Sequence, residues 1–355
     1  MSSIKSLALL LASLSTLPSL AHANTAELVQ RGDLNVSNLT QEGTGHFVRN
    51  EQRGERITSS VEQSGSDQSA RIYQSNLVES QVVLEQSGSA NRFTVYQGDG
   101  EYRSVKMRQD GHNQSVVIGQ RSEGHGQTPG HEMDLVQQGE GNVFLLTQEG
   151  FAHYLQVETT GQYNRVETLQ LGNSTGARIA QNGSSNRVLL TQEHIGSALI
   201  TQGGFANQAT LYMSGGRDSA LAELHQAGSR NQADIGVYGR LSETRIEQQG
   251  NNNELRALLY STGGGMDIEM VGNDNAVGMD IVGTSMTAQA SQTGNRNSAD
   301  ITLEGYGGSG SITQMGNANL ANITQIGSFE MLTGMNASIL QSGQGNVGII
   351  RQISP

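Results

Sequence analysis

The chain alternates apolar and polar residues with a period of two, and the alternation is interrupted by a turn about every eleven residues. The stretch Gln292-Thr293-Gly294-Asn295-Arg296-Asn297-Ser298-Ala299-Asp300-Ile301-Thr302-Leu303 is representative. Its first half predicts a turn. Its second half predicts a strand with Ala299, Ile301 and Leu303 on one face and Ser298, Asp300 and Thr302 on the other. The strict form Gln-x-Gly-x-x-Asn begins at Gln30, Gln86, Gln137, Gln181, Gln202, Gln226, Gln248, Gln292, Gln314 and Gln341. A recurrence of this kind dictates the architecture and is read before any isolated motif.

Between the strict copies the glutamine position continues in phase. Gln30, Gln41, Gln52, Gln63 and Gln74 are evenly spaced, and from Gln226 the step through Gln248, Met270, Gln292 and Gln314 is two strands long. The rhythm breaks over residues 121–136, which predicts an irregular loop there. A helix is excluded, because the apolar spacing is two and glycine punctuates every strand. The expected fold is therefore all-β: a β-solenoid (parallel β-helix) of stacked strand-loop-strand coils, with two narrow parallel sheets over residues 24–355.

Each position in the repeat has a physical reason. The glycines two residues after the glutamine suit a tight turn or a close backbone approach: Gly32, Gly88, Gly139, Gly183, Gly204, Gly228, Gly250, Gly294, Gly316 and Gly343. The asparagines five residues after it open the next strand: Asn35, Asn91, Asn142, Asn186, Asn207, Asn231, Asn253, Asn297, Asn319 and Asn346. Glutamine and asparagine share parity with the apolar residues, as in Phe93/Val95/Gln97 and Phe144/Leu146/Gln148, so they should face inward. A lone buried amide costs about 1–3 kcal/mol if unpaired. Stacking removes that cost, because the same amide recurs one coil away, about 4.8 Å distant, and the side chains can bond as a ladder.

Composition narrows the picture. Hydrophobic residues make up 35% and aromatics 4%, with 46 Gly. A globular chain carries about 45–50% apolar residues, so this one fills a thin core many times over and not a wide one. A net charge of −12 argues against a nucleic-acid partner. The absence of cysteine removes disulfides, thiol chemistry and Cys-bound zinc. Residues 1–23 read as a secretory signal: Lys5, an apolar run from Leu7 to Leu17, the breaker Pro18 and the cleavage pattern Ala21-His22-Ala23.

The repeat Gln-x-Gly-x-x-Asn-x-Ala-x-x-x-Gln resembles the curlin repeat of curli subunits, the bacterial extracellular amyloid proteins. Gln202/Gly204/Asn207/Ala209, Gln226/Gly228/Asn231/Ala233 and Gln292/Gly294/Asn297/Ala299 carry the resemblance, which spans most of residues 30–352. The resemblance implies a secreted fibre (fimbrium) subunit that leaves through the curli secretion apparatus. It also implies polymerisation with itself and with other curlin-like subunits, a place in biofilm matrix, and adhesion to host matrix proteins. In that family the inward Gln and Asn ladders are critical for assembly. The chain differs in having many more repeats, no long glycine-rich leader, and Thr159, Met213 and Met270 at ladder positions.

Other chemistry is weaker. His112, His125, His131 and Glu132 fall in a glycine-rich break and read as a surface loop, while His46 and His153 stand at the asparagine position and read as substitutes for it. Gly263-Gly264-Gly265-Met266-Asp267 lacks the nine-residue period of calcium-binding repeats. Carboxylates are scattered and no nucleophile-base arrangement stands out, so neither an enzyme nor a cofactor is expected. The alternative is a non-amyloid β-solenoid surface adhesin or binding rod.

Overall fold

A computed structural model describes residues 23–122, 130–214, 220–240, 242–305, 307–327 and 334–353. The signal segment read over 1–23 lies outside these residues except for Ala23, as does His125. Among the described residues every regular element is a strand. The chain divides into two units, Met1–Ser174 and Thr175–Pro355. Each unit is a stack of parallel β-coils, the solenoid that the two-residue alternation predicts.

In the first unit one sheet runs from Thr25–Arg31 to Arg165–Asn173 and the other from Val36–Thr44 to Tyr154–Gln162. Successive strands of the chain alternate between the two sheets, so each strand pairs with the next but one. The register keeps like on like: Gln30, Gln52, Gln74, Gln97, Gln120, Gln148 and Gln170 align in one sheet. Gln41, Gln63, Gln86, Gln109, Gln137 and Thr159 align in the other. A slip of one residue would turn every inward side chain to solvent, which is why the pattern fixes the register. Arg92–Glu101 is typical, with Phe93, Val95 and Gln97 buried and Arg92 and Tyr96 exposed.

The second unit holds two long sheets of different character, besides a two-stranded one formed by Val282–Gly283 and Glu304–Gly305. One, from Thr175–Ser184 to Met335–Gln344, has strands of nine or ten residues and aligns Gln181, Gln202, Gln226, Gln248, Met270, Gln292, Gln314 and Gln341. The other, from Arg187–Gln192 to Val347–Ile353, is interrupted. Gln232–Asp234, Glu254–Leu255 and Ala276–Val277 are only three, two and two residues long. After them the backbone enters positive φ at Val237, Tyr260 and Ile281. Val237, Leu259, Ile281 and Leu303, fully buried, stand there at the position that glutamine holds elsewhere.

Of the irregular loop expected over 121–136, residues 123–129 lie outside the described residues and the last five are strand. The strand Glu132–Glu140 has already begun and pairs in full with Ser104–His112. His131 is also not on a surface loop. It is 2% exposed, because it occupies the inward corner that asparagine takes in other coils.

Candidate functional site

The features that recur through both units are the inward amides, and their geometry follows from the register. In the long-stranded sheet of the second unit, each glutamine Nε2 donates to the Oε1 of the next. Gln181 donates to Gln202 at 2.8 Å, Gln202 to Gln226 at 2.8 Å, and Gln226 to Gln248 at 2.6 Å. Past Met270, Gln292 donates to Gln314 at 2.8 Å and Gln314 to Gln341 at 2.9 Å. The second N–H of the same amide crosses the core to a backbone carbonyl of the facing side. Gln226 reaches Gln208 O at 3.0 Å, Gln248 reaches Gln232 O at 2.9 Å and Gln314 reaches Ser298 O at 3.0 Å. One side chain thus ties coil to coil and sheet to sheet, and a methionine or leucine of similar size can do neither.

The first unit carries two such runs. In one, Gln30 donates to Gln52 at 2.7 Å, and the chain continues through Gln74, Gln97, Gln120 and Gln148 to Gln170. In the other, Gln63 donates to Gln86 at 2.8 Å, Gln86 to Gln109 at 2.6 Å and Gln109 to Gln137 at 3.0 Å. All runs have the same sense: donor toward the C-terminal coil, acceptor toward the N-terminal coil.

Where glutamine is replaced, the ladder stops and leaves atoms unpaired. Gln137 Nε2 faces Thr159, whose Oγ1 is too short to reach it, and both atoms lack partners. Gln292 Oε1 is unpaired beyond Met270, and Gln325 Oε1 is unpaired beyond Leu303. In the interrupted sheet Gln192 meets Met213 Sδ at 4.0 Å, and no amide pair follows until Gln325 donates to Gln352 at 2.7 Å.

The asparagines staple the turns. Asn142 Nδ2 donates to Gln138 O and to Gly161 O, both at 3.0 Å, and its Oδ1 accepts the Asn164 backbone N–H at 2.9 Å. Asn35, Asn91, Asn231, Asn253 and Asn319 bond two carbonyls in the same way. Asn186, Asn207 and Asn297 also reach the glycine carbonyl of the next coil, at 3.2, 3.2 and 2.9 Å. Asn346 donates to Ser342 O and to Asn319 Oδ1. Gln30, Asn35, Gln41, Asn346 and Gln352, in the outermost described coils, are half-buried, and the other ladder and turn amides named above are buried.

This stapling explains the glycines. Gly32, Gly88, Gly139, Gly183, Gly204, Gly228, Gly250, Gly294, Gly316 and Gly343 all have positive φ, between 97° and 123°. A Cβ on Gly250 would lie 1.9 Å from Gly272 O, so the row is held at backbone contact distance.

Some features escaped the sequence reading. The residue four after the glutamine adopts the left-handed conformation, as at Ala90 (φ 56°), Arg230 (φ 55°), Asn252 (φ 56°) and Ala318 (φ 54°). Asp67, Asn113, Gly141 and Gly345 at the same position are the usual left-handed residues and were the available signal. An outer asparagine ladder also runs through Asn251, Asn273, Asn295 and Asn317, with Nδ2 to Oδ1 distances of 2.8, 2.9 and 3.0 Å. His46 and His153 do take the asparagine role: the Nε2 of each lies 2.9 Å from the carbonyl four residues back.

The outer faces carry exposed charge. Arg49 pairs with Glu27 and Glu51, and Arg56 with Glu55 and Glu79. The hydrogen bond from Arg49 holds the Glu51 carboxyl below its usual range. On the interrupted sheet the outward residues shrink to Ala276 and Gly278 between Arg256 and Asp300, leaving a cavity of about 410 Å³ that Glu254 and Asp280 also line. Neither a family model nor a curated protein matches this chain.

Proposed function

We propose that this chain is a secreted structural subunit that self-assembles into curli-like extracellular amyloid fibres for biofilm matrix and adhesion. The observation that carries the reading is the sense of the glutamine runs. Each donates toward its C-terminal coil and accepts toward its N-terminal coil, so one run can continue into another of the same kind without change of geometry. The parallel strands and the matched glycine-asparagine turns extend with it, and strand addition then gives the cross-β repeat. The signal segment accords with export. The resemblance to curlins supplies the proposed partners: other copies, related subunits, the secretion apparatus and host matrix proteins. Outward charges such as Arg49, Glu51 and Arg56 act as gatekeepers that slow premature association.

The test is to dilute residues 24–355 from denaturant and follow thioflavin-T fluorescence with and without preformed seeds. A lag shortened by seeds, with fibres in the electron microscope, supports the reading. A β-rich monomer that forms no fibres over days overturns it.

The cavity between Arg256 and Asp300 favours a second reading, a binding rod that holds a polar ligand on its outer face. Such a rod stays monomeric at micromolar concentration, so the same experiment separates the two.

A further inference from the structure

One corner of the first unit departs from the amide scheme in the five coils that follow its first. The inward residue there is Asn35, then Ile57, Ser80, Arg103, His131 and His153. Arg103 is 1% exposed, His131 2% and His153 1%. The two imidazoles stack with centroids 4.9 Å apart and planes 5° from parallel. Arg103 Nη2 donates to Asp99 O, which preserves the bond to the carbonyl four residues back, but its Nε and Nη1 have no partner. His131 reaches Arg121 O at 3.2 Å, ten residues back across the break in the rhythm, and its Nδ1 is also unpaired. At the equivalent place in the opposite corner, His46 Nδ1 accepts the Gln68 backbone N–H at 3.4 Å.

A buried guanidinium therefore sits in the same column as two buried, stacked imidazoles. Among the described residues, the charges that act on His131 are Arg103 and His153. Asp99 acts on Arg103 through charge, and Arg121 and Glu149 reach the column through their carbonyls. Burial, then the Arg103 charge, then His153 lower the His131 pKa to about 3. Burial also lowers that of His153. Burial lowers Arg103 to about 10, so it keeps its charge at neutral pH.

We propose that Arg103, His131 and His153 form an acid-sensitive seam, through which protons open this corner of the first unit while its amide-stapled corner stays closed. The direction follows from linkage. An exposed histidine titrates near 6.5, so the open corner binds protons that the closed corner refuses. The closed corner is fully favoured above that pH and loses ground as pH falls toward 3. Well below 6.5 one refused proton costs tenfold in the closing equilibrium per pH unit, so His131 alone accounts for about 50-fold between pH 6.5 and 4.5, and His153 adds to it. The backbone bonds that open with the column are Gln81 N–H to Arg103 O, Ser104 N–H to His131 O and Glu132 N–H to His153 O, each 2.7–2.9 Å.

The test is amide hydrogen exchange on the full chain at pH 6.5 and 4.5, expressed as protection factors corrected for intrinsic rates. Gln81, Ser104 and Glu132 should lose about 50-fold or more in protection at the lower pH. Ser69, Arg92 and Ser115, which bond Asn91, Gln114 and Asn142 in the other corner, should lose less than a third as much on a logarithmic scale. The variant His131→Asn with His153→Asn should abolish the difference between the corners. It should fold, because asparagine is the residue this position takes at Asn35. Arg103→Asn alone should reduce the loss by removing the fixed charge that opposes His131 protonation. Equal loss in both corners, or an unchanged difference in the double variant, would overturn the proposal.

Discussion

Gly203 and Gly204 are adjacent, chemically identical and differently placed, so they isolate what the glycine row does. At Gly204 φ is +105°, and an added Cβ would lie 2.0 Å from Gly228 O. At Gly203 φ is not in the left-handed region, and the nearest atom to an added Cβ is Gln226 O at 4.0 Å. For Gly204→Ala, holding an ordinary residue at that φ costs about 1–3 kcal/mol. The Gly228 carbonyl must also retreat by about 1 Å to restore a 3.0 Å contact, which strains its bond from Asn207 Nδ2, now 3.2 Å, worth about 0.5–1.5 kcal/mol. The sum is roughly 2–4 kcal/mol of local destabilisation. Gly203→Ala should instead stabilise by about 0.4–1 kcal/mol, because alanine restricts the unfolded chain without straining the folded one. Native-state hydrogen exchange over Gly196–Phe205 and Ala220–Ser229 reads both directly. The expected gap in protection between the variants is at least about 50-fold. If the two alanines shift protection equally and in the same direction, the close-approach argument for the whole glycine row is wrong.

Other substitutions probe the amides. Gln226→Glu keeps the acceptor for Gln202 but loses the donors to Gln248 and Gln208. It should destabilise by about 3 kcal/mol at pH 7 and recover in part on acidification, as urea denaturation at two pH values would report. Gln226→Met should cost less, since Met270 already occupies one rung of that ladder. Met270→Gln would join Gln248 to the unpaired Gln292 Oε1 and should stabilise by about 1–2 kcal/mol in the same assay. Asn297→Ala removes donors to Asn275 Oδ1 and Gly316 O and the acceptor for Asn319 N–H. It should cost about 2–4 kcal/mol and slow seeded thioflavin-T growth, whereas the outward Thr302→Ala should leave that growth within twofold.

Much of this architecture is legible in the linear chain because the repeat is its own register. Period-two alternation chooses strands, the glycine after each glutamine chooses turns, and shared parity of Gln, Asn and the apolar residues sets all of them inward. That follows from steric alternation along a strand and needs no tertiary information. What the sequence could not decide is how each amide spends its two N–H groups. The bond from Gln248 to Gln232 O depends on the width of the core between facing sheets, which no local pattern encodes. The left-handed residue after each turn glycine was also hidden. Arginine and alanine adopt it at Arg230 and Ala318 because their N–H groups bond a carbonyl of the preceding coil, Phe205 O and Asn295 O. His131 was misread for a related reason: glycine-rich surroundings suggested a loop, but stacking on His153 and the bond to Arg121 O draw it into the corner. Sequence alone determined the strand, its faces and its phase, which are properties of one coil. The tertiary structure decided the pairing of buried polar atoms, because each partner belongs to a neighbouring coil or to the opposite sheet.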